Sequence, residues 1–189
     1  MLAGQGAAPR LATRKHFESI GGIPRRGSQA AAVPAVLDAC VTLLLRHGTM
    51  SFADTATATM EMLEAGSESW QQNLLTTYKT LCVAESSVRG SRSERLAAVS
   101  DAFYRGSIAR DLDAWAQKHD ALLRYEDLAA HRTRIEQPLA VPFGGHQIYK
   151  LSDTEVAAFM DHSVPVHNST YAQWSTESML ENSMERAEI

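Results

Sequence analysis

Residues 36–54 read VLDACVTLLLRHGTMSFAD, and this stretch decides the predicted fold. Its apolar residues recur at helical spacing and predict one buried helix face, formed by Val36, Leu37, Cys40, Val41 and Leu44. Gly48 is predicted to end this helix in the left-handed conformation, which glycine adopts at low cost. Ser51 then offers an N-cap for a second helix, and Asp54 occupies the capping-box position. The stretch therefore predicts two consecutive helices joined by a short turn.

The same order of signals recurs further along the chain. The second helix is predicted to end at Gly66, and the next pair of helices ends at Gly90 and Gly106, so that the period is 40 residues. A fixed period of this length is typical of helical-hairpin repeats. A fifth helix is predicted from Ile108 through Leu122 towards Leu128. The predicted fold class is all-α, with α-solenoid-like hairpin repeats and an irregular, extended C-terminal segment.

The composition divides the chain into three predicted parts. Residues 1–29 form a basic N-terminal segment, residues 30–137 the helical-hairpin domain, and residues 138–189 an extended segment with short helices. Within the last part, a turn-rich loop is predicted from Pro138 to Gly145, followed by a short extended stretch. The Phe143–His146 sequence, with its two glycines, is predicted to be a tight turn and not a phosphate-binding loop.

Charge is distributed unevenly. Residues 1–29 carry five basic side chains and one acidic one, so this segment has a net charge of +4 in a chain of net charge −4, and the remainder carries −8. A body of that sign repels a phosphate backbone, which makes nucleic acid an unlikely partner. The basic, acid-poor N-terminus is typical of a mitochondrial transit peptide, and a flexible basic tail is the alternative. No apolar run approaches the length of a membrane span.

The sequence suggests no catalytic centre. Cys40 and Cys82 lie in apolar helical patterns and are predicted to be buried, reduced thiols. His146, Asp161, His162 and His167 are metal-binding residue types, but their spacing favours exposed loop side chains over a metal site. No cofactor is predicted. The protein is predicted not to be an enzyme.

The helical pairs resemble pentatricopeptide repeats. Ala35–Cys40 and Met60–Gly66 resemble the two helices of one hairpin of that family, and Leu74–Tyr78 with Phe103–Gly106 resemble a weaker second copy. Most members bind single-stranded RNA through a polar residue on the first helix. Pro34 stands at that position in the first unit and Gln72 in the second, so the resemblance implies the architecture more than the RNA binding. Size and architecture are also similar to the accessory subunits on the F1 head of euglenozoan mitochondrial ATP synthases.

The predicted function is that of a non-catalytic accessory subunit of a multiprotein complex in the mitochondrial matrix. The resemblance implies that this complex is the F1 part of ATP synthase. An RNA-binding repeat protein or a mitochondrial ribosome subunit is the alternative. Protein subunits are the predicted partners, because large apolar residues stand in a C-terminal segment without a domain of its own. The predicted partner-binding residues are Tyr149, Phe159, Tyr171, Trp174, Met179, Leu180 and Met184.

Overall fold

The computed structural model describes residues 1–150. The chain divides into two compact units, Leu2–Ile135 and Glu136–Ile189, the second including Met1. The first unit contains β1 (Leu2–Ala3), α1 (Arg14–Ser19), a short 3-10 turn (Ser28–Ala30), α2 (Val36–His47), α3 (Phe52–Glu64), α4 (Ser69–Ser87), α5 (Arg92–Tyr104), α6 (Ser107–Lys118), α7 (Tyr125–Ala130) and β2 (Arg134–Ile135). The second unit contains β3 (Leu139–Phe143) and β4 (His146–Lys150). Within residues 1–150, no helix combines the length and the apolarity that a membrane crossing requires.

The helices of the first unit pack around α5. This helix contacts α2, α4 and α6, and α4 contacts α3. Leu96 and Val99 of α5 are fully buried and form a core with Val41 of α2. In a solenoid, α2 would pack on the next helix in sequence, but here it packs on the helix three positions later. The solenoid prediction is therefore wrong for these helices, although the helices themselves were predicted.

The predicted start of the second helix is confirmed, and a second helix begins in the same way. The Ser51 hydroxyl accepts a hydrogen bond from the Asp54 amide, and the Asp54 carboxylate accepts one from the Ser51 amide. Ser91 and Glu94 form the same reciprocal pair at the start of α5. These capping boxes satisfy amides that have no partner within the helix, so each start can be located from local sequence alone.

Gly48 ends α2 for a different reason from the predicted one. Its φ is −86° and its backbone is extended, so the left-handed conformation is absent at this residue. A Cβ at Gly48 would lie 2.9 Å from Leu44 Cδ2 and 3.0 Å from Leu44 Cα. Glycine is therefore required here by the close approach to the last turn of α2, and not by its φ angle.

The predicted fifth helix is two helices. The first, α6, ends at Lys118, and Asp120 follows in the left-handed region with a φ of 53°. The Ala121 amide then donates to the Ala116 carbonyl at 2.8 Å, which closes the helix in a Schellman-type cap. The prediction was wrong because Asp120 occupies the position that glycine usually holds at the end of a helix. Aspartate tolerates the left-handed conformation better than most residues do.

The predicted apolar face of α2 is divided between two sides of the helix. Val41 is buried, and Leu37 and Leu44 pack against the core, whereas Val36 and Cys40 are exposed. Both cysteines are free thiols, but Cys40 is exposed and Cys82 is half-buried. The prediction that both are buried is wrong, since α2 uses only one side of its apolar surface to contact α5.

Residues before Ala30 contact the helical body. Leu2 and Ala3 pair with Ile135 and Arg134 in an antiparallel bridge. Arg10 donates through its amide and its Nε to Asp127 Oδ1, both at 3.1 Å. Regular structure therefore extends into residues 1–29, which the sequence placed outside the helical domain, because long-range hydrogen bonds hold a segment that has no apolar periodicity.

The second unit, as far as it is described, is a β-hairpin. Strands β3 and β4 pair antiparallel from Leu139↔Lys150 to Phe143↔His146. Gly144 and Gly145, with φ of 55° and 79°, form the tight turn, as predicted. The stretch before the turn was predicted to be a loop and is a strand. Tyr149 lies on β4 and is 57% exposed.

Candidate functional site

Five polar side chains meet where α2, α5 and the segment after α7 converge. The Asp38 carboxylate accepts a hydrogen bond from the Ser100 hydroxyl at 2.7 Å and one from the Thr133 amide at 2.6 Å. The Tyr104 hydroxyl donates to the Pro34 carbonyl at 2.7 Å and accepts from the Asp38 amide at 3.2 Å. The His131 ring lies 5.1 Å from the Tyr104 ring. We call Asp38, Ser100, Tyr104, His131 and Thr133 the buried polar cluster.

Burial and hydrogen bonding shift three pKa values in this cluster. Burial opposes the charge on Asp38, but the hydrogen bonds from Ser100 and Thr133 outweigh it and lower the pKa of the carboxyl below 3.8. Burial raises the pKa of Tyr104 to about 12. Burial also lowers the pKa of His131 below 6.5, and the nearby Asp38 charge opposes this shift only in part. At neutral pH the cluster therefore holds one carboxylate, one neutral phenol and one neutral imidazole.

These shifts predict that acid destabilises the first unit. His131 binds a proton more readily in the unfolded chain than in the folded one, so stability is lost as the pH falls below 6.5. Asp38 causes a second loss of stability as the pH falls below 3.8, because the pKa of its carboxyl is lower in the folded chain than in the unfolded one. We expect the urea midpoint to fall between about pH 7.5 and about pH 5.5. His131→Phe keeps a ring against Tyr104 and should flatten this dependence; an unchanged pH slope in that variant would rule out His131 as its source.

The hydrogen bonds of the cluster do not activate a nucleophile. Ser100 donates its proton to the Asp38 carboxylate, whereas an activated serine donates to a basic nitrogen. The His131 Nε2 and Thr133 Oγ1 atoms are buried and have no hydrogen-bond partner. The arrangement fixes the start of α2 against α5 and the segment after α7. We therefore interpret the cluster as structural.

Two further buried carboxylates cap helices. Glu85, at the end of α4, accepts hydrogen bonds from the Phe52 and Ala53 amides at 2.8 and 2.9 Å, so it caps α3 from another helix. Asp127 accepts from the Arg124 amide at 2.9 Å and binds Arg10. Sequence reasoning missed both. A signal for Glu85 exists, because it continues the inward-facing series of Tyr78 and Leu81 by one more turn.

An open groove of about 540 Å³ lies between α3 and α4. Met60, Cys82 and Val83 give it an apolar lining. Lys79 and Glu64 at its side form an ion pair of 2.9 Å with each other, so neither is a strong anchor for a ligand. Burial raises the pKa of the Cys82 thiol, which disfavours the reactive thiolate.

The sequence-predicted site residues are mostly beyond the part of the chain that the structure describes. Tyr149 is on β4, and Phe159, Tyr171, Trp174, Met179, Leu180 and Met184 lie outside the described residues, as do Asp161, His162 and His167. His146 is the first residue of β4. In residues 1–150, no three His, Cys, Asp or Glu side chains are grouped to hold a metal ion. The partner-binding set stays a prediction.

The sequence also matches a protein family. A family model described as Gamma-glutamyltranspeptidase matches residues 56–160, which is more than half of the chain. The chain belongs to the gamma-glutamyltranspeptidase family. The matched residues begin within α3 and include α4 to α7 and the hairpin of β3 and β4. No curated protein sequence matches the chain.

Solved structures show a similar fold. The structure of LmbA2991HD superposes with a TM-score of 0.67 at 26% identity, covering 80% of this chain and 35% of that one. A cephalosporin acylase from Bacillus halodurans gives a TM-score of 0.58 at 21% identity, with 78% and 34% covered. The gamma-glutamyltranspeptidase from Pseudomonas nitroreducens, complexed with L-DON, gives 0.58 at 18% identity, with 83% and 55% covered. The last two likenesses show the fold alone, and the chain spans only about a third of the length of the first two structures.

The family overturns several predictions. The pentatricopeptide resemblance, the similarity to an ATP synthase subunit and the α-solenoid fold class are wrong, because the family is that of gamma-glutamyltranspeptidases and the fold is similar to that of a gamma-glutamyltranspeptidase and an acylase. The predictions of a non-catalytic accessory subunit, an RNA-binding protein or a ribosome subunit are wrong as well, since the family is one of enzymes. Helix, glycine and serine cap recur wherever antiparallel helices follow one another, so that order could not distinguish a repeat from this fold. The matrix location and the protein partners stay predictions.

Proposed function

We propose that this chain is part of an enzyme that cleaves γ-glutamyl amide bonds and transfers the γ-glutamyl group to water or to an amine. The observation that carries the proposal is the family match over residues 56–160. The fold, which superposes on the gamma-glutamyltranspeptidase from Pseudomonas nitroreducens over 83% of the chain, is compatible with it.

We assign helices α2 to α7 a scaffolding role in that enzyme. Their buried carboxylates, Asp38, Glu85 and Asp127, are all engaged by amides or hydroxyls of the fold. Gamma-glutamyltranspeptidases and acylases are Ntn (N-terminal nucleophile) hydrolases. These enzymes use a nucleophile at a polypeptide N-terminus, with the terminal amine as base. In our proposal, polypeptide outside the described residues supplies this nucleophile and the oxyanion donors.

The basic N-terminal segment suits the substrate. A γ-glutamyl group carries a free α-carboxylate, and arginine binds carboxylates through two parallel N–H groups. The segment presents exposed Arg14, Arg25 and Arg26 in a chain that is otherwise acidic. The Arg14 side chain is 90% exposed even though its Nε donates to Glu18 at 2.7 Å. We propose that these arginines attract and bind the substrate carboxylate.

A substitution series tests the arginines. In the active assembly, the triple variant R14Q/R25Q/R26Q should raise the KM for a γ-glutamyl anilide by about tenfold and leave kcat nearly unchanged, because binding and not chemistry is weakened. The matched control R46Q/R89Q/R95Q removes three exposed arginines elsewhere and should leave KM unchanged. Equal KM values for the two triple variants would contradict the assignment.

Deletion of the gene in the source cells tests the function as a whole. Extracts of the deletion strain should hydrolyse γ-glutamyl-p-nitroanilide more slowly than wild-type extracts, and the lost fraction should be the one that L-DON inhibits in wild type. Hydrolysis of alanyl-p-nitroanilide is the control and should not change. Full, L-DON-sensitive hydrolysis in the deletion strain would contradict the proposal.

A further inference from the structure

The three arginines that we assign to the substrate carboxylate lie on a loop that is attached to the helical body at both ends. We call residues 11–27, which contain them, the arginine loop. Just before the loop, the Arg10 amide donates to Asp127 Oδ1 at 3.1 Å. Just after it, Ser28 Oγ donates to the His119 carbonyl at 3.1 Å. The loop therefore leaves the body at one fixed point and returns to it at another.

Both attachment points belong to the same stretch of the body. Residues 119–127 join α6 to α7 and contain both acceptors, the His119 carbonyl and the Asp127 carboxylate. Ala121 and Leu123 within this stretch are 3% and 8% exposed and belong to the hydrophobic core. The arginine loop is thus attached to a part of the molecule that is itself held by packing, and fixing both ends of a loop reduces the conformations it samples.

The attachment at Arg10 is the stronger of the two. The Arg10 Nε donates to Asp127 Oδ1 at 3.1 Å in addition to the amide, and the Asp127 side chain is only 3% exposed. Asp127 Oδ2 accepts from the Arg124 amide at 2.9 Å, so the orientation of the carboxylate is fixed. The second ion pair, from Arg10 Nη2 to Glu126, is exposed and contributes little. A charge-assisted hydrogen bond is about twice as strong as a neutral one of the Ser28 kind.

We propose that Arg10 is a positioning residue, which holds the arginine loop where its three arginines meet the substrate carboxylate. This inference rests on the proposed function. Arg10 does not bind the substrate itself, because its guanidinium donates to Asp127 and Glu126. Without this attachment the loop is competent to bind in only a fraction of the molecules, and the apparent affinity for the substrate falls by that fraction.

Limited trypsin digestion of the full chain tests the attachment without any substrate. Arg10→Met keeps an apolar side chain and removes every side-chain donor. Cleavage after Lys15 and after Arg26, followed by mass spectrometry, should be at least about fivefold faster than in wild type, because native-state proteolysis follows the population of the open loop. Cleavage after Arg92, at the start of α5, should be unchanged, which excludes general unfolding.

Two further variants separate the attachment from a general loss of charge. Arg10→Lys restores the positive charge beside Asp127 and should recover part of the protection from trypsin. Arg132→Met removes another exposed arginine, whose Nη1 donates only to the nearby Ala129 and His131 carbonyls. The arginine loop of that variant should be cleaved at the wild-type rate.

The kinetics of the active assembly test the positioning role. Arg10→Met should raise the KM for a γ-glutamyl anilide by about threefold and leave kcat nearly unchanged. In the R14Q/R25Q/R26Q background the same change should leave KM where the triple variant has it, because the loop then carries no arginine to position. A role confined to stability would instead lower the amount of active enzyme, and with it the apparent kcat, in both backgrounds.

The two measurements fail separately. Cleavage as slow in Arg10→Met as in wild type would overturn the attachment. Faster cleavage with an unchanged KM, or a KM that rises equally in the triple-variant background, would overturn the positioning role and leave the proposed function intact. A wild-type assembly that does not hydrolyse γ-glutamyl anilide would overturn the proposed function, and the positioning role with it, whatever the rate of cleavage.

Discussion

Glu85→Ala is expected to lower the free energy of unfolding of the Leu2–Ile135 unit by about 3 kcal/mol. Glu85 is 5% exposed, and each of its carboxylate oxygens accepts a hydrogen bond from an amide at the start of α3. Alanine leaves the Phe52 and Ala53 amides without these partners, and the hydrogen bond from the Phe52 amide is buried. Urea unfolding followed by circular dichroism measures the loss.

Two controls separate capping from general damage to α4. Glu85→Gln keeps the size and one acceptor oxygen, so it should cost less than alanine. Glu94→Ala removes a capping carboxylate that is exposed, and its effect should be smaller. Equal stability of Glu85→Ala and wild type would show that the contact between α3 and α4 does not depend on this carboxylate.

Asp38→Ala is the second change with a large expected effect, a loss of about 3 kcal/mol. Asp38 is 8% exposed and joins α2 to α5 through Ser100 and to the segment after α7 through the Thr133 amide. Removing it leaves partly buried donors unpaired on two elements. The variant should also lose the stability change below about pH 3.8 that the wild-type carboxylate contributes.

Ser100→Ala provides the comparison, because it removes only one of the two hydrogen bonds and should cost about 1 kcal/mol. A double variant of Asp38 and Ser100 should then be no less stable than Asp38→Ala alone, since both changes remove the same contact. Strictly additive losses in this cycle would contradict the described hydrogen bond.

Much of the secondary structure could be predicted because its signals are local. The start of α3 is marked by a capping box that lies within four residues, Ser51 to Asp54. The two glycines after Phe143 mark the position of the hairpin turn. The boundary after Lys118 could not be predicted in the same way, since it depends on Asp120 in a conformation that favours glycine.

The packing of α2 could not be predicted from periodicity, because periodicity does not show which other helix contacts each apolar residue. Leu37 and Val41 face α5, and Val36 and Cys40 face outward, yet all four belong to one apolar pattern. An apolar residue is compatible with the core of the unit and with an interface to another polypeptide. The pattern therefore predicted a helix and could not say which side meets which partner.

The candidate site was the least predictable part. Asp38 looks like an ordinary surface charge in sequence. Helical spacing places Glu85 on the inward side of α4, but only the tertiary structure brings amides within hydrogen-bond distance of either carboxylate. The enzyme family was missed for a related reason: the local signals in this sequence mark where helices begin and end, and many unrelated helical folds share such signals.

The central claim is that this chain belongs to a γ-glutamyl-transferring enzyme, and one measurement tests it most directly. The assembly is purified from source cells through a tag on this chain, and the release of p-nitroaniline from γ-glutamyl-p-nitroanilide is recorded. We predict turnover that copurifies with the tagged chain and rises when an amine acceptor is added. A purified assembly that contains the intact, folded chain and releases no p-nitroaniline would contradict the claim.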